Sequence, residues 1–256
     1  MTDMQQTKIA LITGANRGLG RSMALHLADQ GVDVIGTYRN NDAEAAEVAR
    51  QIEEKGRRAA MLQLDVSKTR EFTTFATALK ETLETRFARA DFDFLVNNAG
   101  SALYAPIADT TEAQFDAMVD VHFRGVVFLT QRLLPLIVDG GRILNVSSGL
   151  ARMTNPGSAI YAANKAAIET FTRYLAQELG PRRITANVVA PGAIETDFGG
   201  GRVRDNADIN KRIASITALG RVGQADDIGL AVASLLSEGG RWINGQRIEV
   251  SGGQAL

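Results

Sequence analysis

The sequence predicts an α/β fold: a doubly wound domain with a central parallel sheet of about seven strands and helices on both faces. Short runs of apolar, often β-branched residues alternate with longer amphipathic stretches along the whole chain. Such apolar strands are typical of a parallel sheet that is covered on both faces. No Pro- or Ser-rich linker interrupts the alternation, so residues 1–256 are predicted to form one domain. The strand candidates are residues 9–13, 33–37, 59–64, 94–97, 142–146, 185–190 and 247–250.

Helix-like segments fill the intervals between these strands. One helix is predicted over residues 44–55 and a longer one over residues 112–137. The longer segment follows Thr111, which begins a capping-box pattern, and precedes the turn-forming residues 139–141. A third helix is predicted over residues 156–179. Strands and helices in this order build successive β–α–β units.

Composition excludes several classes of protein. The net charge is −1, with basic residues dispersed, so neither a nucleic-acid partner nor a membrane-binding patch is expected. The absence of cysteine excludes disulfides and thiolate chemistry, and a cytoplasmic location is expected. The polar residues 1–8, "MTDMQQTK", do not resemble a secretory signal. No apolar run is long enough for a membrane-spanning helix.

A glycine cluster lies between the first predicted strand and the first predicted helix. Gly14, Gly18 and Gly20 in "TGANRGLG" permit a tight turn, in which backbone N–H groups can approach a pyrophosphate at the helix N-terminus. The spacing is GxxxGxG, whereas the commonest dinucleotide fingerprint is GxGxxG. The position of the cluster after the first strand nevertheless predicts dinucleotide binding.

The end of the second strand indicates which dinucleotide is bound. An NAD-specific site places an acidic residue there, on the ribose 2′-hydroxyl. Asp33 lies at the opposite end of that strand, and the carboxyl end offers the neutral Thr37 and the cationic Arg39. Arg17 adds a second positive charge within the glycine loop. Two guanidinium groups suit a 2′-phosphate, so NADP is the predicted cofactor, with NADPH preferred over NADH; the alternative is two solvated surface arginines.

A tyrosine and a lysine share one face of a predicted helix. Tyr161 and Lys165 are four residues apart in "YAANK", which places them one turn apart. Taken alone, this is more often an ordinary surface pair. An ammonium beside a phenol favours the phenolate, and the pair then forms a proton-transfer group whose pKa lies below the usual value near ~10.

These motifs together resemble the short-chain dehydrogenase/reductase family. The similarity covers nearly the whole chain and is greatest to 3-oxoacyl-carrier-protein-reductase-like members. It implies a Rossmann fold and a carbonyl–alcohol oxidoreductase. The motifs are "TGANRGLG" at 13–20, "NNAG" at 97–100, "NVSS" at 145–148, "YAANK" at 161–165, "PGAIETDF" at 191–198 and "INGQRIEVSGG" at 243–253.

The resemblance also implies roles for individual residues. Tyr161 is the expected general acid in reduction, and Lys165 is expected to bind the nicotinamide ribose and lower the pKa of Tyr161. Ser148, and not its neighbour Ser147, is expected to donate to the substrate carbonyl oxygen. The residues expected to contact the cofactor are Gly14, Asn16, Arg17, Gly18, Leu19, Gly20, Thr37, Arg39, Asp65, Val66, Asn97, Asn98, Ala99, Gly100, Tyr161, Lys165, Pro191, Gly192, Ile194 and Thr196.

One residue departs from the family pattern. His122, in "MVDVHFRGV", stands where the family usually has an asparagine of a proton relay. Either only the local backbone matters and the ring is a bystander, which we favour narrowly, or the ring retunes or abolishes the relay. With only two histidines and no cysteine in the chain, no metal site is expected.

The leading interpretation is therefore an NADP(H)-dependent oxidoreductase that acts on a ketone, an aldehyde or a secondary alcohol. An alternative is a dinucleotide-binding regulatory or scaffold protein with impaired catalysis, and an epimerase or dehydratase is a weaker one. A homotetramer is expected from the resemblance, with Phe128 and Phe171 as candidate contacts. The Gly-rich segment 198–215 is expected to be a mobile flap beside the substrate, on which Arg202 and Arg204 are more often solvated than bound to an acidic substrate.

Overall fold

Seven parallel strands form the centre of the molecule. The computed structural model describes residues 6–256; the first residues of the polar start, 1–5, lie outside the described part. All the predicted strands are confirmed, with shifts only at their ends. The strands are β1 (Ile9–Ile12), β2 (Asp33–Tyr38), β3 (Ala59–Gln63), β4 (Phe92–Asn97), β5 (Ile137–Val146), β6 (Thr185–Pro191) and β7 (Arg247–Val250).

The strand order is β3-β2-β1-β4-β5-β6-β7, and every pair is parallel. The direction of winding therefore reverses between β1 and β4. In open α/β sheets, ligands bind beyond the carboxyl ends of the strands at such a reversal. The loops after β1 and β4 contain the glycine cluster and the "NNAG" motif, so the topology brings these two segments together.

Helices cover both faces of the sheet, which confirms the doubly wound prediction. Apolar side chains of α1, α2 and α9 pack on one face, and those of α3, α5 and α6 pack on the other. The helices are α1 (Gly18–Asp29), α2 (Asp42–Glu54), α3 (Phe72–Phe87), α4 (Glu112–Val119), α5 (Gly125–Leu133), α6 (Ala159–Glu178), α7 (Arg202–Asp205), α8 (Ala207–Ser215) and α9 (Ala225–Leu236).

The prediction of one helix over residues 112–137 is wrong. A π-helical segment, Asp120–Arg124, separates α4 from α5, and α5 ends before Pro135. Proline cannot donate the backbone hydrogen bond that would continue the helix. Ile137 instead begins β5, which runs through the glycines at 140–141, and its pairing with β4 shifts register there. The π-helical segment places His122 in the interior of the protein.

The segment predicted to be a Gly-rich flap contains two short helices. Gly199, Gly200 and Gly201 all have positive φ, between 63° and 74°, and they lead into α7 and then α8. Left-handed backbone of this kind favours glycine. We call residues 197–205 the flap from here on.

The two phenylalanines expected to need a partner differ in environment. Phe128 on α5 is 45% exposed, as expected. Phe171 on α6 is partly buried against the core and packs edge-on against Phe123, with ring centroids 6.4 Å apart. Phe171 is therefore mainly a packing residue of the subunit.

Among the described residues, no helix is both long enough and apolar enough to cross a membrane.

Candidate active site

The glycine loop leaves the N-terminus of α1 open to an anion. Arg17 occupies the N-cap position, but no side chain caps the helix, and its first turn has no acidic residue. Gly20 packs so closely that a Cβ there would lie 2.1 Å from the carbonyl oxygen of Gly14. Gly18 has a φ of +54°, which disfavours a side chain. Unsatisfied N–H groups and the helix dipole therefore meet at a site that fits the pyrophosphate of a dinucleotide.

Two residues predicted to contact the cofactor instead support this loop. The Thr37 side chain is buried, and its Oγ1 accepts a hydrogen bond from the backbone N of Gly14 at 3.2 Å. Asn98 donates from Nδ2 to the carbonyl oxygens of Thr13, at 2.9 Å, and Gly14, at 3.2 Å. The position of each residue agrees with the prediction, but each side chain already has a structural partner.

The Asn97 side chain is turned away from the cofactor edge, contrary to the prediction. It is buried, and its Nδ2 donates to Asn145 Oδ1 at 2.8 Å and to Thr130 Oγ1 at 3.1 Å. Asn145 in turn donates to Thr172 Oγ1 at 2.9 Å. This chain of hydrogen bonds satisfies polar groups between β4, β5, α5 and α6. Ala99 and Gly100, the rest of the motif, follow at the strand edge.

The two arginines predicted to favour NADP are exposed at the expected edge of the sheet. Arg17 is in the glycine loop, and Arg39 directly follows β2. Neither side chain has a hydrogen bond or ion pair within residues 6–256. Asp33, at the opposite end of β2, accepts from the backbone N and the Nε of Arg58, at 2.8 and 2.7 Å. The prediction that Asp33 is at the wrong end of the strand for the ribose is confirmed.

The sequence did not draw attention to Glu44, which lies beside the glycine loop. Asn16 donates from Nδ2 to Glu44 Oε2 at 2.8 Å, and Glu44 is in the first turn of α2. Asn16 is thus engaged with a carboxylate in the free protein, close to Arg17 in the chain. Glu44 lies on the same side of the loop as Asn16 and partly opposes the positive potential there.

Asp65 and Val66 follow β3 at the same edge. Asp65 Oδ1 accepts from the backbone N of Ser67 at 3.0 Å and from its hydroxyl at 2.7 Å. Burial raises the pKa of Asp65, but the hydrogen bonds from Ser67 and the charge of Arg39 outweigh it and lower the pKa. Asp65 is therefore charged and fixed near Arg39.

Ser148 and Tyr161 bring two hydroxyl groups together. Ser148 directly follows Ser147 at the end of β5, and its Oγ accepts from the backbone N of Leu150 at 3.2 Å. Burial raises the pKa of Tyr161 to about 12, while a hydrogen bond with Ser148 acts in the opposite direction and the nearby phenol of Tyr104 raises it further. The free protein therefore holds Tyr161 firmly protonated.

The expected lowering of the Tyr161 pKa by Lys165 is not found in the free protein. Lys165 is buried, and its Nζ donates to the carbonyl oxygen of Val146 at 2.7 Å. The Nζ lies 5.6 Å from the centroid of the Tyr161 ring. Burial lowers the pKa of Lys165 itself to about 8. Desolvation therefore dominates at both residues and favours the neutral form of each.

His122 is buried against the catalytic candidates. Its ring lies edge-on to Tyr161, with centroids 5.1 Å apart. Nε2 is 2.8 Å from the carbonyl oxygen of Ser101 and 3.3 Å from its backbone N, and Nδ1 has no hydrogen-bond partner within residues 6–256. Burial and the charge of Lys165 lower the His122 pKa to about 3. The ring is therefore neutral in the physiological range, and an acid limb with an ordinary histidine pKa is not expected.

The segment after β6 lies over the glycine loop. Gly192 donates its backbone N–H to the carbonyl oxygen of Val250 at 3.1 Å, directly after Pro191, the last residue of β6. Ile194 pairs with Gly223, and Thr196 is the residue nearest to the position that a Cβ of Gly18 would occupy, at 3.8 Å. The first and sixth strands thus contribute to one cleft, as the prediction for Ile194 and Thr196 requires.

A partly buried ion pair behind the serine was missed at the level of sequence. Glu169 Oε1 accepts from the hydroxyl of Ser147 and from Arg247 Nε, both at 2.7 Å, and Arg247 Nη2 reaches the carbonyl oxygen of Ser148 at 3.4 Å. Ser147 therefore has a structural role, and Ser148 is the serine free to face Tyr161. The charged residues Arg247 and Glu249, which alternate with apolar residues in β7, were the only signal of this contact in the sequence.

Comparisons with known proteins agree with this geometry. Residues 14–255 match a family model described as enoyl-(acyl carrier protein) reductase. A tetrahydroxynaphthalene reductase of the fungus Pestalotiopsis fici is 38% identical, over 96% of this chain and 91% of its own. The chain belongs to the short-chain dehydrogenase/reductase family. This membership confirms the predicted family and enzyme class.

Solved structures of family members extend the agreement to the fold. The promiscuous reductase LugOII, of lugdunomycin biosynthesis, is 37% identical with a TM-score of 0.91, over 97% of this chain and 98% of its own. The angucycline C-6 ketoreductase LanV, with bound NADP, is 36% identical with a TM-score of 0.92, over 98% of this chain and 96% of its own. The NADP held by this relative supports the predicted cofactor.

We predict that His122 makes stability depend on pH. Because its folded pKa of about 3 lies below the ordinary value of 6.5, the unfolded chain binds a proton there that the folded protein excludes. The free energy of unfolding therefore falls as the pH drops below 6.5, by about 1.4 kcal/mol per pH unit. Denaturant unfolding near pH 7 and near pH 5 measures this loss.

The free energy of unfolding that is lost between pH 7 and pH 5 should be smaller by about 2 kcal/mol in His122→Asn than in the wild type. His26→Asn is the control, because His26 is the other histidine and is partly exposed between Asp29 and Asp226. Equal pH dependence in the wild type and His122→Asn would show that the buried ring does not exclude the proton.

Proposed function

We propose that this protein is an NADP(H)-dependent reductase of a ketone or aldehyde, with Tyr161 as its general acid. The observation that supports this most directly is the pair of hydroxyl groups of Ser148 and Tyr161. Tyr161 lies on α6, one helical turn before the buried Lys165. This group lies in the same cleft as the anion-accepting N-terminus of α1. Oxidation of NADPH in the presence of a panel of carbonyl compounds tests the proposal, and failure with every carbonyl would favour a dinucleotide-binding protein without catalysis.

The two hydroxyl groups suit a carbonyl oxygen that gains negative charge. NADPH supplies a hydride to the carbonyl carbon when it is bound. Ser148 Oγ and Tyr161 Oη donate hydrogen bonds to the carbonyl oxygen, and these bonds strengthen as the charge develops. Tyr161 then transfers its proton to that oxygen, which completes the alcohol. In the direction of oxidation, the same phenol oxygen removes the alcohol proton.

The protonation states of the free protein suit reduction. The raised pKa of Tyr161, about 12, keeps the proton available for the substrate. The pKa of Lys165, about 8, leaves mostly an ammonium at neutral pH, with Val146 as its only hydrogen-bond partner within residues 6–256. An ammonium has three donors. Two donors therefore stay available for the ribose hydroxyls of a cofactor.

Several predictions about the whole chain are carried forward as part of this proposal. Residues 1–256 form a single domain, the protein is cytoplasmic, and it assembles as a homotetramer. The apolar side chains that support an assembly lie on α4, α5 and α6: Phe115 is 48% exposed, Phe128 45% and Tyr174 64%. Large exposed apolar groups concentrated on neighbouring helices are typical of a subunit interface.

We expect light scattering at micromolar concentration to give the mass of a tetramer. Phe128→Arg introduces a charge into the exposed apolar group and should reduce the mass of the assembly. A wild-type protein that is purely monomeric at this concentration would contradict the assembly proposal.

NADPH should bind more tightly than NADH because Arg17 and Arg39 can meet a 2′-phosphate. A charge-assisted contact contributes roughly 1.5–3 kcal/mol, which is about tenfold to over a hundredfold in the dissociation constant. Arg17→Gln and Arg39→Gln should each weaken NADPH binding and leave NADH binding nearly unchanged. Fluorescence titration of both cofactors with the wild type and the two variants measures the dissociation constants.

Arg21→Gln is the matched control for this titration. Arg21 is an exposed arginine on α1 whose guanidinium is held by Gln51 at 2.9 Å, and its replacement should leave the preference intact. Wild-type protein that binds NADH as tightly as NADPH would refute the assignment.

Replacing Tyr161 with phenylalanine should abolish turnover and spare NADPH binding. The substitution removes the donated proton and keeps the packing of the ring against His122. General acid catalysis typically contributes about 10²–10⁴ in rate, so kcat should fall by that factor or more. Tyr174→Phe on the same helix, 64% exposed, is the control and should retain full activity. Near-wild-type kcat in a folded Tyr161→Phe protein would rule out the mechanism.

A further inference from the structure

Two arginines on the flap have the same charge and different surroundings. Arg204 is paired with both flap carboxylates: its Nε and Nη2 donate to Asp205 at 2.7 and 2.9 Å, and its Nη1 donates to Asp197. These hydrogen bonds raise the pKa of Arg204. Arg204 and the two carboxylates therefore form a closed local network, which leaves neither acidic group for Arg202.

Arg202 lies over an aromatic ring at the mouth of the active site. Its guanidinium carbon is 4.9 Å from the centroid of Tyr104. Within residues 6–256 its side chain has no ion pair and no hydrogen bond, although a guanidinium has five N–H donors. The guanidinium lies over the Tyr104 ring, which attracts the cation, and its N–H groups remain available to a ligand. A planar donor held in this way is suited to bind an anionic oxygen.

The ring beneath Arg202 belongs to the substrate cleft. The phenol of Tyr104 lies near enough to Tyr161 to raise its pKa. Phe198 of the flap approaches Tyr161 from another direction, with ring centroids 6.0 Å apart. A Cβ at Gly199, next in the chain, would lie 3.2 Å from the Tyr104 ring, so the flap packs directly against that residue.

The walls of this cleft are aromatic and accessible. Tyr104 is 46% exposed and Phe198 is 44% exposed, and both border the proton donor Tyr161. Covering exposed aromatic rings with a ligand removes apolar surface from water and is favourable. Such rings favour planar aromatic partners, which they meet in offset or edge-to-face contacts. The mouth thus combines aromatic walls with Arg202, a cation that has no ion pair within residues 6–256.

We propose that Arg202 selects aromatic ketones whose ring carries an anionic oxygen, a carboxylate or an ionised phenol. This inference rests on the proposed reductase function and adds the class of substrate. The carbonyl oxygen meets Ser148 and Tyr161, the aromatic ring packs against Tyr104 and Phe198, and the anionic group reaches Arg202. Arg204, which is neutralised by its two partners, takes no part in this recognition.

The test compares matched pairs of bicyclic aromatic ketones with NADPH. One pair is a tetralone with a carboxylate on the aromatic ring and the methyl ester of that compound. The other pair is a hydroxytetralone whose phenol is acidified by ring nitro groups, so that it is ionised near neutral pH where Lys165 keeps its proton, and the methyl ether of that compound. Each pair keeps the ring and the ketone; the neutral member lacks the charge and carries one additional methyl group. The enzymes are the wild type, Arg202→Gln and the matched control Arg204→Gln.

We expect wild-type kcat/KM to be about tenfold higher for the anionic member of at least one pair, since an exposed charge-assisted contact is partly screened. Arg202→Gln should remove that preference and change kcat/KM for the neutral member less than about threefold. Arg204→Gln should keep the preference, and added salt should reduce it in the wild type. The pair that shows the preference identifies the anion as carboxylate or phenolate.

Calorimetric binding of the tetralone carboxylate to the enzyme saturated with NADP⁺ separates this inference from the proposed function. Arg202-dependent binding without turnover of any ketone would support the inference and refute the reductase function. Turnover of the neutral ketones with no preference for either anion would refute the inference and keep the function. An equal loss of preference in Arg202→Gln and Arg204→Gln would also overturn the inference, because the flap as a whole would then be responsible.

Discussion

The cleft depends on the hydrogen bonds that join the loops after β1 and β4, where the sheet reverses its winding. Thr13 Oγ1 accepts from the backbone N–H groups of Asn98 and Ala99, both at 2.9 Å. The Asn98 amide donates back to the carbonyl oxygens of Thr13 and Gly14. Buried backbone N–H and C=O groups need hydrogen-bond partners. Beyond the ends of β1 and β4, the two chain segments no longer provide these partners through regular strand pairing. Threonine and asparagine side chains therefore fix the shape of the glycine loop.

Other parts of the site depend on this junction. The loop after β4 continues to Ser101, whose backbone carbonyl holds the Nε2 of His122. His122 packs on Tyr161, so the position of the phenol is linked through the imidazole to the same loop. The glycine loop and the proton donor are thus held relative to one another by main-chain contacts of a single segment.

Burial governs the electrostatics of the catalytic group in the free protein. The phenol of Tyr161, the ammonium of Lys165 and the imidazole of His122 lie close together, and for each of them desolvation is the largest cause of the pKa shift. Each shift favours the neutral form. Lys165 stays the most readily charged of the three near neutral pH, and its field opposes a second positive charge on His122. His122 therefore contributes a ring to this group without contributing a charge.

The sequence by itself determined the fold class, the seven strands and the glycine loop, and it predicted the serine, the tyrosine and the lysine as the catalytic residues. These features depend on local patterns: apolar runs, glycine spacing and a helical interval of four residues. Ser148 rather than Ser147 was expected from the family's interval to the tyrosine, and in the structure Ser147 is held by Glu169. What a residue does when its contacts are local, or when its motif is shared by a family, can be predicted from the chain alone.

Only the tertiary structure decided where side chains point and which charges are paired. Asn97 and Thr37 lie in predicted motifs, yet their side chains turn to Asn145 and to the backbone of Gly14. The π-helical segment at His122 follows from an extra residue in a helical turn, which no periodicity of the sequence displays. Two flap arginines that look alike in the sequence differ because the two flap carboxylates both fold onto Arg204. Hydrogen-bond partners and desolvation are properties of three-dimensional proximity, and residues distant in the chain supply them.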